Sequence, residues 1–384
     1  MKFDDKYIDY SLKTKKEIYE SIILFSILSN KYVVFLGKFL LNVALVLHLP
    51  ITFFIKKTIF KHFCGGETIN ESKLKINQLG QKNIKTILDY SIEGKNDDKV
   101  FKNTYKEIIK NIETAKTNKL IPFCVFKLTG ISSFNLLQKL NNKIDLNKEE
   151  KQELYILNKR LHHICKKATT CNIPVLIDAE ESWIQDAIDA IVENLMFTYN
   201  QNQVIIYNTI QLYRWDKLKD IIALHKKTEM KNIKIGLKLV RGAYMEKENK
   251  RAKKNNYKSP IHNSKKSCDQ DYNKAVKYCI KNITNISLCF GTHNEKSTEL
   301  ILDLMKKNNI KNSDQRIYFS QLLGMSDNIS YYLAHFKYNV AKYVPYGPVK
   351  EVLPYLIRRA EENSAITGQT KKEVQRLKKA LNKL

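Results

Sequence analysis

Hydrophobic residues follow two alternating patterns along the chain from residue 84 onward. Short apolar runs rich in β-branched residues are typical of buried strands, and the longer segments between them have helical periodicity or composition. The short runs predict eight strands, at residues 84–90, 123–128, 175–178, 204–207, 235–240, 288–291, 317–320 and 341–344. The longer segments predict helices that include residues 149–170, 183–199, 217–230 and 297–308.

This alternation predicts the fold class. Continuous apolar strands favour a parallel sheet that is buried on both faces. Because there are eight strand–helix repeats, we expect an α/β protein with a closed (β/α)8 barrel of the TIM type rather than an open sheet. Residues 1–80 are predicted to form a helical arm, and residues 81–384 the barrel with its C-terminal helices. The highly charged segment 247–266 is predicted to be a long loop after a strand.

The apolar segment 32–55 suits a membrane as well as a protein core. A helix that spans a bilayer needs about 20 predominantly apolar residues. This segment is interrupted at Lys38, Asn42, His48 and Pro50. We therefore expect a pair of helices packed on the body of the protein. Contact with a membrane surface is the alternative, and the flanking Lys56 and Lys57 favour it.

The charge balance is strongly basic, with 66 Lys and Arg against 39 Asp and Glu and a net charge of +27. Such an excess is typical of proteins that bind nucleic acid or a membrane surface. The cations are spread along the chain, however, and neither an RNP-like nor a zinc-finger pattern accompanies them. We interpret most of the charge as a solvated surface, place attraction to an anionic membrane second, and do not expect a nucleic-acid partner.

Cysteine usage and the N-terminus bear on the compartment. The seven cysteines are odd in number and contain no CxxC spacing, so a disulfide framework or a zinc knuckle is not expected. The first residues carry acids and no apolar run at signal-peptide distance. We therefore expect a cytoplasmic protein, with peripheral contact at the inner face of the membrane as a further option.

Polar residues stand at the carboxyl ends of the predicted strands. These residues are Asp89, Glu93, Lys127, Thr129, Asp178, Glu180, Gln211, Arg241, Tyr244, Thr292, His293, Asn294, Gln321 and Tyr343. Any one of them has a structural explanation, because Thr, Asn and Asp commonly cap turns and helices. A parallel barrel brings all of these strand ends to one mouth, so the whole set predicts an active site there.

A second candidate site lies near the C-terminus. If residues 354–363 form a helix, Tyr355, Arg358, Arg359 and Glu362 share one face. Two neighbouring guanidinium groups form a donor array that suits a carboxylate or a phosphate. A solvated basic face is the alternative. The use of arginine in a chain that otherwise prefers lysine favours a ligand site.

The motifs around these positions resemble the proline dehydrogenase family of flavoenzymes. The C-terminal match comprises Pro345-Tyr346-Gly347 and the run PYLIRRAEEN at 354–363. Further matches follow in the same order: LDYSIE at 88–93, KLTG at 127–130, DAEE at 178–181, IQ at 210–211, KLVRGAY at 238–244, THN at 292–294 and QLLGM at 321–325. They cover about residues 60–370. The resemblance implies a distorted barrel whose last helix lies over its mouth.

The resemblance also implies the roles of the substrate-site residues. Lys127, Arg358 and Arg359 match the positions that hold the carboxylate of L-proline, and Asp178 and Tyr343 match a pair that shapes the pocket. Leu322 and Tyr355 match other pocket walls. Glu93 matches a glutamate that pairs with the first arginine and gates the site, although an ordinary surface salt bridge is the alternative.

For the cofactor, the resemblance implies FAD. The matching positions are Gln211, Lys238, Val240, Gly242, Ala243, Tyr244, Asn263, Thr292, His293, Asn294 and Glu362. Two positions depart from the pattern of many relatives: Met245 stands where they have tryptophan, and Asn263 where they have threonine. No GxGxxG follows a strand, so a Rossmann site is not indicated, and His293 has no companion at metal-ligand spacing, so no metal is expected.

The implied reaction is hydride transfer from C5 of L-proline to flavin N5, which gives Δ1-pyrroline-5-carboxylate. The implied electron acceptor is a membrane quinone or another acceptor. The length of the chain predicts that a separate pyrroline-5-carboxylate dehydrogenase takes the product. Three alternatives stay open: a relative that prefers hydroxyproline, a barrel that uses a phosphorylated ligand, and a non-enzymatic basic binding protein.

Overall fold

A computed structural model describes residues 3, 7, 10, 14–47, 49–92, 97–365 and 367–382, and its centre is a closed parallel barrel. Each strand pairs with the next, and the last pairs with the first. The strands are β1 (Lys85–Tyr90), β2 (Phe123–Lys127), β3 (Val175–Asp178), β4 (Ile206–Gln211), β5 (Ile235–Val240), β6 (Ile286–Gly291), β7 (Ile317–Leu322) and β8 (Val340–Tyr346). The predicted (β/α)8 fold is confirmed.

Helices precede the barrel and surround it. The first five are α1 (Lys15–Leu28), α2 (Lys31–Val46), α3 (Thr52–Ile55), α4 (Lys61–Phe63) and α5 (Ile69–Gly80), and the turn Lys56–Phe60 joins α3 to α4. Around the barrel lie α6 (Asp98–Thr117), α7 (Phe134–Asn141), α8 (Lys148–Cys171), α9 (Ser182–Tyr199), α10 (Lys217–Glu229), α11 (Met245–Lys254), α12 (Lys265–Lys281), α13 (Glu295–Lys307) and α14 (Asp327–His335). Two C-terminal helices follow, α15 (Val349–Ala365) and α16 (Thr367–Leu381).

Alternate positions along each strand face opposite sides of the barrel wall. Ile87, Val125 and Leu176 belong to a cluster that fills the interior. Their neighbours, such as Leu88 and Cys124, pack outward against the ring of helices in the largest core cluster. Since both faces of every strand are covered, continuous apolar runs are the expected sequence of such a sheet.

Strand β4 was predicted at residues 204–207, but it lies at Ile206–Gln211. The apolar run 204–207 predicts a strand there, whereas the ladder with β5 runs from Tyr207 to Gln211. The pairing gives Asn208, Thr209 and Gln211 backbone partners, and their side chains are buried in polar contacts. Tertiary hydrogen bonding therefore extends this strand through residues whose polarity suggested a loop.

The segment 247–266 is also more ordered than the predicted loop, because α11 occupies its first part. Glu246 and Glu248 lie in the first turn of this helix, and the last turn contains Arg251, Lys253 and Lys254. Acidic residues near the N-terminus and basic residues near the C-terminus interact favourably with the helix dipole, which stabilises the helix. The high charge of the segment thus reflects a surface helix.

Helix α15 crosses the mouth of the barrel. It begins soon after β8, and its Arg358 guanidinium lies 5.9 Å from the centre of the Tyr244 ring, which follows β5 on the opposite side. The helix begins at Val349 rather than at Pro354, so this proline lies inside it. Gly347, with φ of +142°, makes the turn that a side chain would strain.

The arm reaches the same mouth from the other end of the chain. The backbone amide of Gly65 donates to the carbonyl of Pro345 at 2.8 Å, and that of Gly347 donates to the carbonyl of Gly66 at 3.2 Å. Helices α1 and α2 pack against α15. Within the part of the chain that the structure describes, no single helix has both the length and the apolarity to cross a bilayer, while α1 and the Lys31–Leu41 part of α2 meet that criterion as a pair bent by 94°.

Candidate active site

Four predicted site residues from different strands meet inside the barrel mouth. The Lys238 ammonium lies 2.5 Å from Oδ1 of Asp178, and the Lys127 ammonium lies 3.9 Å from Oδ2 of the same carboxylate. The Tyr343 hydroxyl donates to Asp178 Oδ1 at 3.3 Å and also contacts Lys238. The Lys238 ammonium further lies 4.1 Å from the centre of the Tyr343 ring. We call these four residues the mouth cluster.

The mouth cluster carries one carboxylate against two ammonium groups. Burial by itself raises the pKa of Asp178, but Lys238 and Lys127 outweigh it and hold that pKa below its ordinary value. Burial, followed by the Asp178 charge, raises the pKa of Tyr343 well above its ordinary value, so its phenol stays protonated. The cluster therefore has an excess positive charge that suits an anionic ligand.

Helix α15, which carries Arg358 and Arg359, contributes a further cationic group to the mouth. Arg359 is only 4% exposed, and its guanidinium forms a two-pronged ion pair with Glu362 at 2.5 and 2.6 Å. It also lies 5.2 Å from the centre of the Tyr355 ring. Among the described residues, Nε of Arg359 and the buried Tyr355 hydroxyl have no hydrogen-bond partner. These two groups are therefore available to a ligand in the mouth.

The predicted pocket-wall residue Leu322 joins two hydrophobic clusters. Leu322 is half-buried and packs with the cluster around Tyr355 and also with the interior cluster around Tyr343. It thus bridges the barrel interior and the helix above it. Glu93, the predicted gate residue, lies outside the described residues, so its pairing with Arg358 stays a prediction.

The first of the predicted cofactor positions lie at the ends of β4 and β5. Gln211 is buried and donates from Nε2 to the Glu180 carbonyl at 3.0 Å, while its Oε1 has no partner among the described residues. Val240 and Tyr244 are half-buried, and Ala243 and Asn263 are exposed. Gly242 has φ of +131°, and an added Cβ would lie 2.5 Å from the Tyr213 ring, so glycine is required there.

The other cofactor positions lie after β6. Burial, with the nearby Lys342, Arg359 and Arg241 charges, lowers the pKa of His293 to about 3, so its imidazole is neutral. Its Nδ1 lies 3.0 Å from the Ser326 hydroxyl. Asn294 caps α13 by accepting from the Ser297 amide at 3.0 Å, so the capping alternative holds for its side-chain oxygen.

Two residues that the sequence placed at the mouth without a role turn out to organise it. Arg241 donates to Asp269 at 2.8 Å, to the Thr292 hydroxyl at 2.9 Å and to the Ser297 hydroxyl at 2.8 Å. Both oxygens of the Glu180 carboxylate accept from Thr129, one of them from its backbone amide at 3.0 Å. Strand-end position suggested both residues, but their partners are distant in sequence.

Glu180 should make stability depend on pH. Burial, opposed by the Thr129 hydrogen bonds and assisted by Glu181, raises the pKa of this carboxyl to about 7. A raised carboxyl pKa means that the folded state binds the proton more tightly. Its contribution to stability is thus fully present below the unfolded-state pKa and is lost as pH rises to about 7. The shift corresponds to about 3 kcal/mol.

We expect Glu180→Gln to flatten this dependence between pH 5 and pH 8. Urea unfolding of both proteins at each pH measures it. Glu153→Gln is the matched control. Glu153 lies on the outer helix α8, and its carboxylate accepts from the Ser133 amide at 2.7 Å. A slope that persists in Glu180→Gln would assign the effect to another group.

The family model and two of the relatives that this chain matches are all described as proline dehydrogenase. Residues 73–372 match the family model described as proline dehydrogenase. The chain is 30% identical to proline dehydrogenase 1, mitochondrial, of Dictyostelium discoideum, in an alignment that covers 97% of this chain and 73% of the relative. It is 31% identical to proline dehydrogenase 2, mitochondrial, of Arabidopsis thaliana, over 86% of this chain and 78% of that protein.

The fold is likewise similar to solved structures. Proline utilization A from Bdellovibrio bacteriovorus superposes with a TM-score of 0.72 at 19% identity, over 94% of this chain. This chain spans 38% of the length of that protein. At this identity the match supports the barrel fold, and the Bdellovibrio structure is described as inactivated by N-propargylglycine.

Proposed function

This chain belongs to the proline dehydrogenase family, and from that premise we propose that it oxidises L-proline to Δ1-pyrroline-5-carboxylate with FAD as the oxidant. In this reaction C5 loses a hydrogen with its bonding electrons, the amine loses a proton, and a C5=N bond forms. The carboxylate at C2 does not react. The protein therefore has to hold that carboxylate and present C5 to the oxidant.

The observation that carries the proposal is the convergence of cations on one mouth. Lys127 approaches it from inside the barrel, and Arg359 and Arg358 approach it from α15. Fixed guanidinium groups hold a carboxylate with paired hydrogen bonds. A substrate carboxylate buried among them is stabilised by several charges at once, which offsets the cost of removing it from water.

Tyr343 and Asp178 shape the space beside this anion site. The Tyr343 side chain is 5% exposed and lies in the barrel interior next to the Lys238 ammonium. A saturated five-membered ring packs against such an aromatic face, and the phenol leaves little room for an added hydroxyl. This favours proline over hydroxyproline as the substrate.

The residues present fit a flavin nucleotide. The isoalloxazine ring offers both N–H and carbonyl groups. The buried Gln211 amide can accept from such an N–H with its unpartnered Oε1 and donate its second N–H to such a carbonyl. Lys238 and the neutral His293 supply further polar contacts, and Gly242 allows the backbone to approach closely. FAD, when bound, accepts the two electrons. The chain itself binds and orients the imino acid and keeps water from the mouth beneath α15.

An absorbance spectrum of the purified protein tests the proposal. We expect a flavin spectrum that bleaches when L-proline is added under anaerobic conditions. A colourless protein that cannot be reconstituted with FAD would refute it, as would bound flavin that L-proline leaves oxidised. Tight, salt-sensitive nucleic-acid binding without flavin would instead favour the basic binding protein.

Tyr343 provides a specificity prediction. We expect Tyr343→Ser to lower the preference for proline over hydroxyproline by about tenfold or more, because it opens space for the hydroxyl. The ratio of kcat/KM values for the two substrates measures this. Tyr318→Ser is the matched control, since Tyr318 lies in the same barrel interior but bonds Lys85 at the opposite end.

Tyr343→Phe separates shape from hydrogen bonding. This variant keeps the ring and loses the contact with Asp178, so the preference for proline should persist. A ratio that is unchanged in Tyr343→Ser would contradict the steric role of the ring.

We further propose that a quinone or another acceptor reoxidises the flavin, and that a separate pyrroline-5-carboxylate dehydrogenase consumes the product. The product is a cyclic imine in equilibrium with an aldehyde, so an aldehyde-oxidising enzyme is the chemistry that must follow. Anaerobic turnover with a soluble quinone, followed at the flavin absorbance, tests the first of these.

A further inference from the structure

Helix α2 turns most of its apolar surface away from the protein. Large side chains exposed on it include Phe35 at 75%, Tyr32 at 74% and Val46 at 74%. The full set is Tyr32, Val33, Phe35, Leu36, Phe39, Leu40, Val43 and Val46 on the helix, with Leu47 directly after its end. The prediction of a helix packed on the body thus holds for one edge of α2.

The exposed residues form one continuous surface. At 3.6 residues per turn they fall within an arc of roughly 160°. The half-buried Val34 and Leu41 lie on the opposite side of the helix, and the buried Ala44 lies beside the edge of the arc. Helix α1 adds exposed Tyr19, Ile23 and Ile27, and α3 adds exposed Phe53 and Phe54. We call the exposed apolar residues of these three helices the apolar face.

The apolar face is concentrated to an unusual degree. Among the described residues, 15 of the 23 exposed large apolar side chains lie between positions 19 and 54. Single exposed apolar residues are normal, whereas contiguous patches mark surfaces that bind a protein or a membrane. The density of exposed apolar residues here therefore indicates a surface that binds a partner.

The charges around the face indicate what that partner is. Residues 21–66 contain no Asp or Glu, and four lysines border the apolar residues. Lys38 pairs with Glu361 and Lys56 with Glu67, so Lys31 and Lys57 are the cations that can meet a headgroup. The Lys57 ammonium lies 4.1 Å from the centre of the Phe53 ring, so an apolar and a cationic group are adjacent. Apolar side chains bordered by lysines match the acyl boundary and the anionic headgroups of a bilayer. A second copy of this face would bring like charges together.

We propose that the apolar face docks on the surface of an anionic membrane, with α2 lying in the plane of the interface. A 16-residue helix is about 24 Å long, shorter than the roughly 30 Å hydrocarbon core, so it suits an in-plane position. The Lys38 ammonium pairs with Glu361 of α15 at 2.6 Å, next to the Glu362 that holds Arg359. Docking therefore places the helix over the barrel mouth close to the headgroups.

Vesicle flotation tests this proposal, and it needs no substrate, so its outcome is independent of the proposed function. The full chain is mixed with vesicles of phosphatidylcholine alone or with about 30% phosphatidylglycerol, a fraction that gives a strongly negative surface. We expect binding to the anionic vesicles that weakens as salt rises. The triple variant Phe35→Ser, Leu36→Ser, Phe39→Ser should bind at least about tenfold more weakly.

The matched control is Leu74→Ser, Ile144→Ser, Met230→Ser, which removes exposed apolar residues away from the face. It should bind as the unaltered protein does. Lys31→Gln with Lys57→Gln removes two lysines that pair with no carboxylate among the described residues, and it should reduce binding to anionic vesicles. Failure of the unaltered chain to float, equal loss in the control, or a dimer that the triple variant dissociates would overturn the proposal.

Discussion

Replacing Arg359 by methionine should weaken binding of L-proline by about 2–5 kcal/mol, which is roughly thirtyfold to a few thousandfold. Arg359 is buried, so a substrate carboxylate placed beside it would lose a paired contact and keep its desolvation cost. Its present partner, Glu362, is one-third exposed and can return to water. The loss should therefore appear in substrate binding more than in stability.

The measurement is the L-proline concentration that half-bleaches the flavin, together with KM. Arg316→Met is the control for loss of a paired arginine, because Arg316 pairs with Asp314 just before β7, at the end of the barrel opposite the mouth. Arg359→Lys keeps a charge but loses the guanidinium fork, so its affinity should lie between the two. Unchanged proline affinity in Arg359→Met would refute the carboxylate assignment.

Replacing Asp178 by alanine should destabilise the protein by about 3–5 kcal/mol and abolish turnover. The substitution leaves Lys238, which is 6% exposed, without its carboxylate partner. The lowered pKa of Asp178 gives the sign of the pH effect. Its stabilising contribution is present above the unfolded-state pKa and is lost as pH falls through the folded one.

The double variant Asp178→Ala, Lys238→Met separates stability from function. Removing both charges should restore much of the free energy of unfolding, measured with urea at neutral pH, while turnover stays absent. Lys217→Met is a control for removing a buried lysine elsewhere, because Lys217 pairs with Asp189 outside the barrel. A double variant as unstable as Asp178→Ala would show that charge pairing does not dominate.

Asp178 and Glu180 have opposite dependences on pH although one residue separates them. Asp178 faces two ammonium groups, whereas burial dominates at Glu180. Acid therefore weakens one contribution and strengthens the other. The pH of maximum stability should depend on both carboxyls, and each single variant should shift it in a different direction.

The barrel could be predicted because its strands are locally encoded. Apolar runs such as 235–240 are buried on both faces, and that requirement is visible in any window of the sequence. The position of strand β4 could not be predicted correctly. The polar side chains of Asn208 and Gln211 are accommodated in this strand by hydrogen bonds to Asp189 and Glu180, which lie on other elements. Helix α11 was missed because its charges are as typical of a loop as of a surface helix.

The site could be predicted as a set of positions and not as a set of contacts. The strand-end rule brings Lys127, Asp178 and Tyr343 to one mouth, and the structure places them together. The bond between Glu180 and Thr129 joins residues 51 apart, and no local pattern specifies such a pairing. Similarly, the apolar segment 32–55 could not reveal which of its sides would stay exposed.

The hydrogen bonds between the Gly65–Gly66 segment and the end of β8 have a consequence for how the molecule is made. They join parts of the chain that are about 280 residues apart in sequence. Contacts of such long range form late, because the intervening chain has to be ordered first. During synthesis the apolar residues of the N-terminal helices that pack on α15 therefore stay exposed to solvent until β8 and α15 have left the ribosome. A chaperone or a lipid surface that shields them in that interval would raise the yield of native protein.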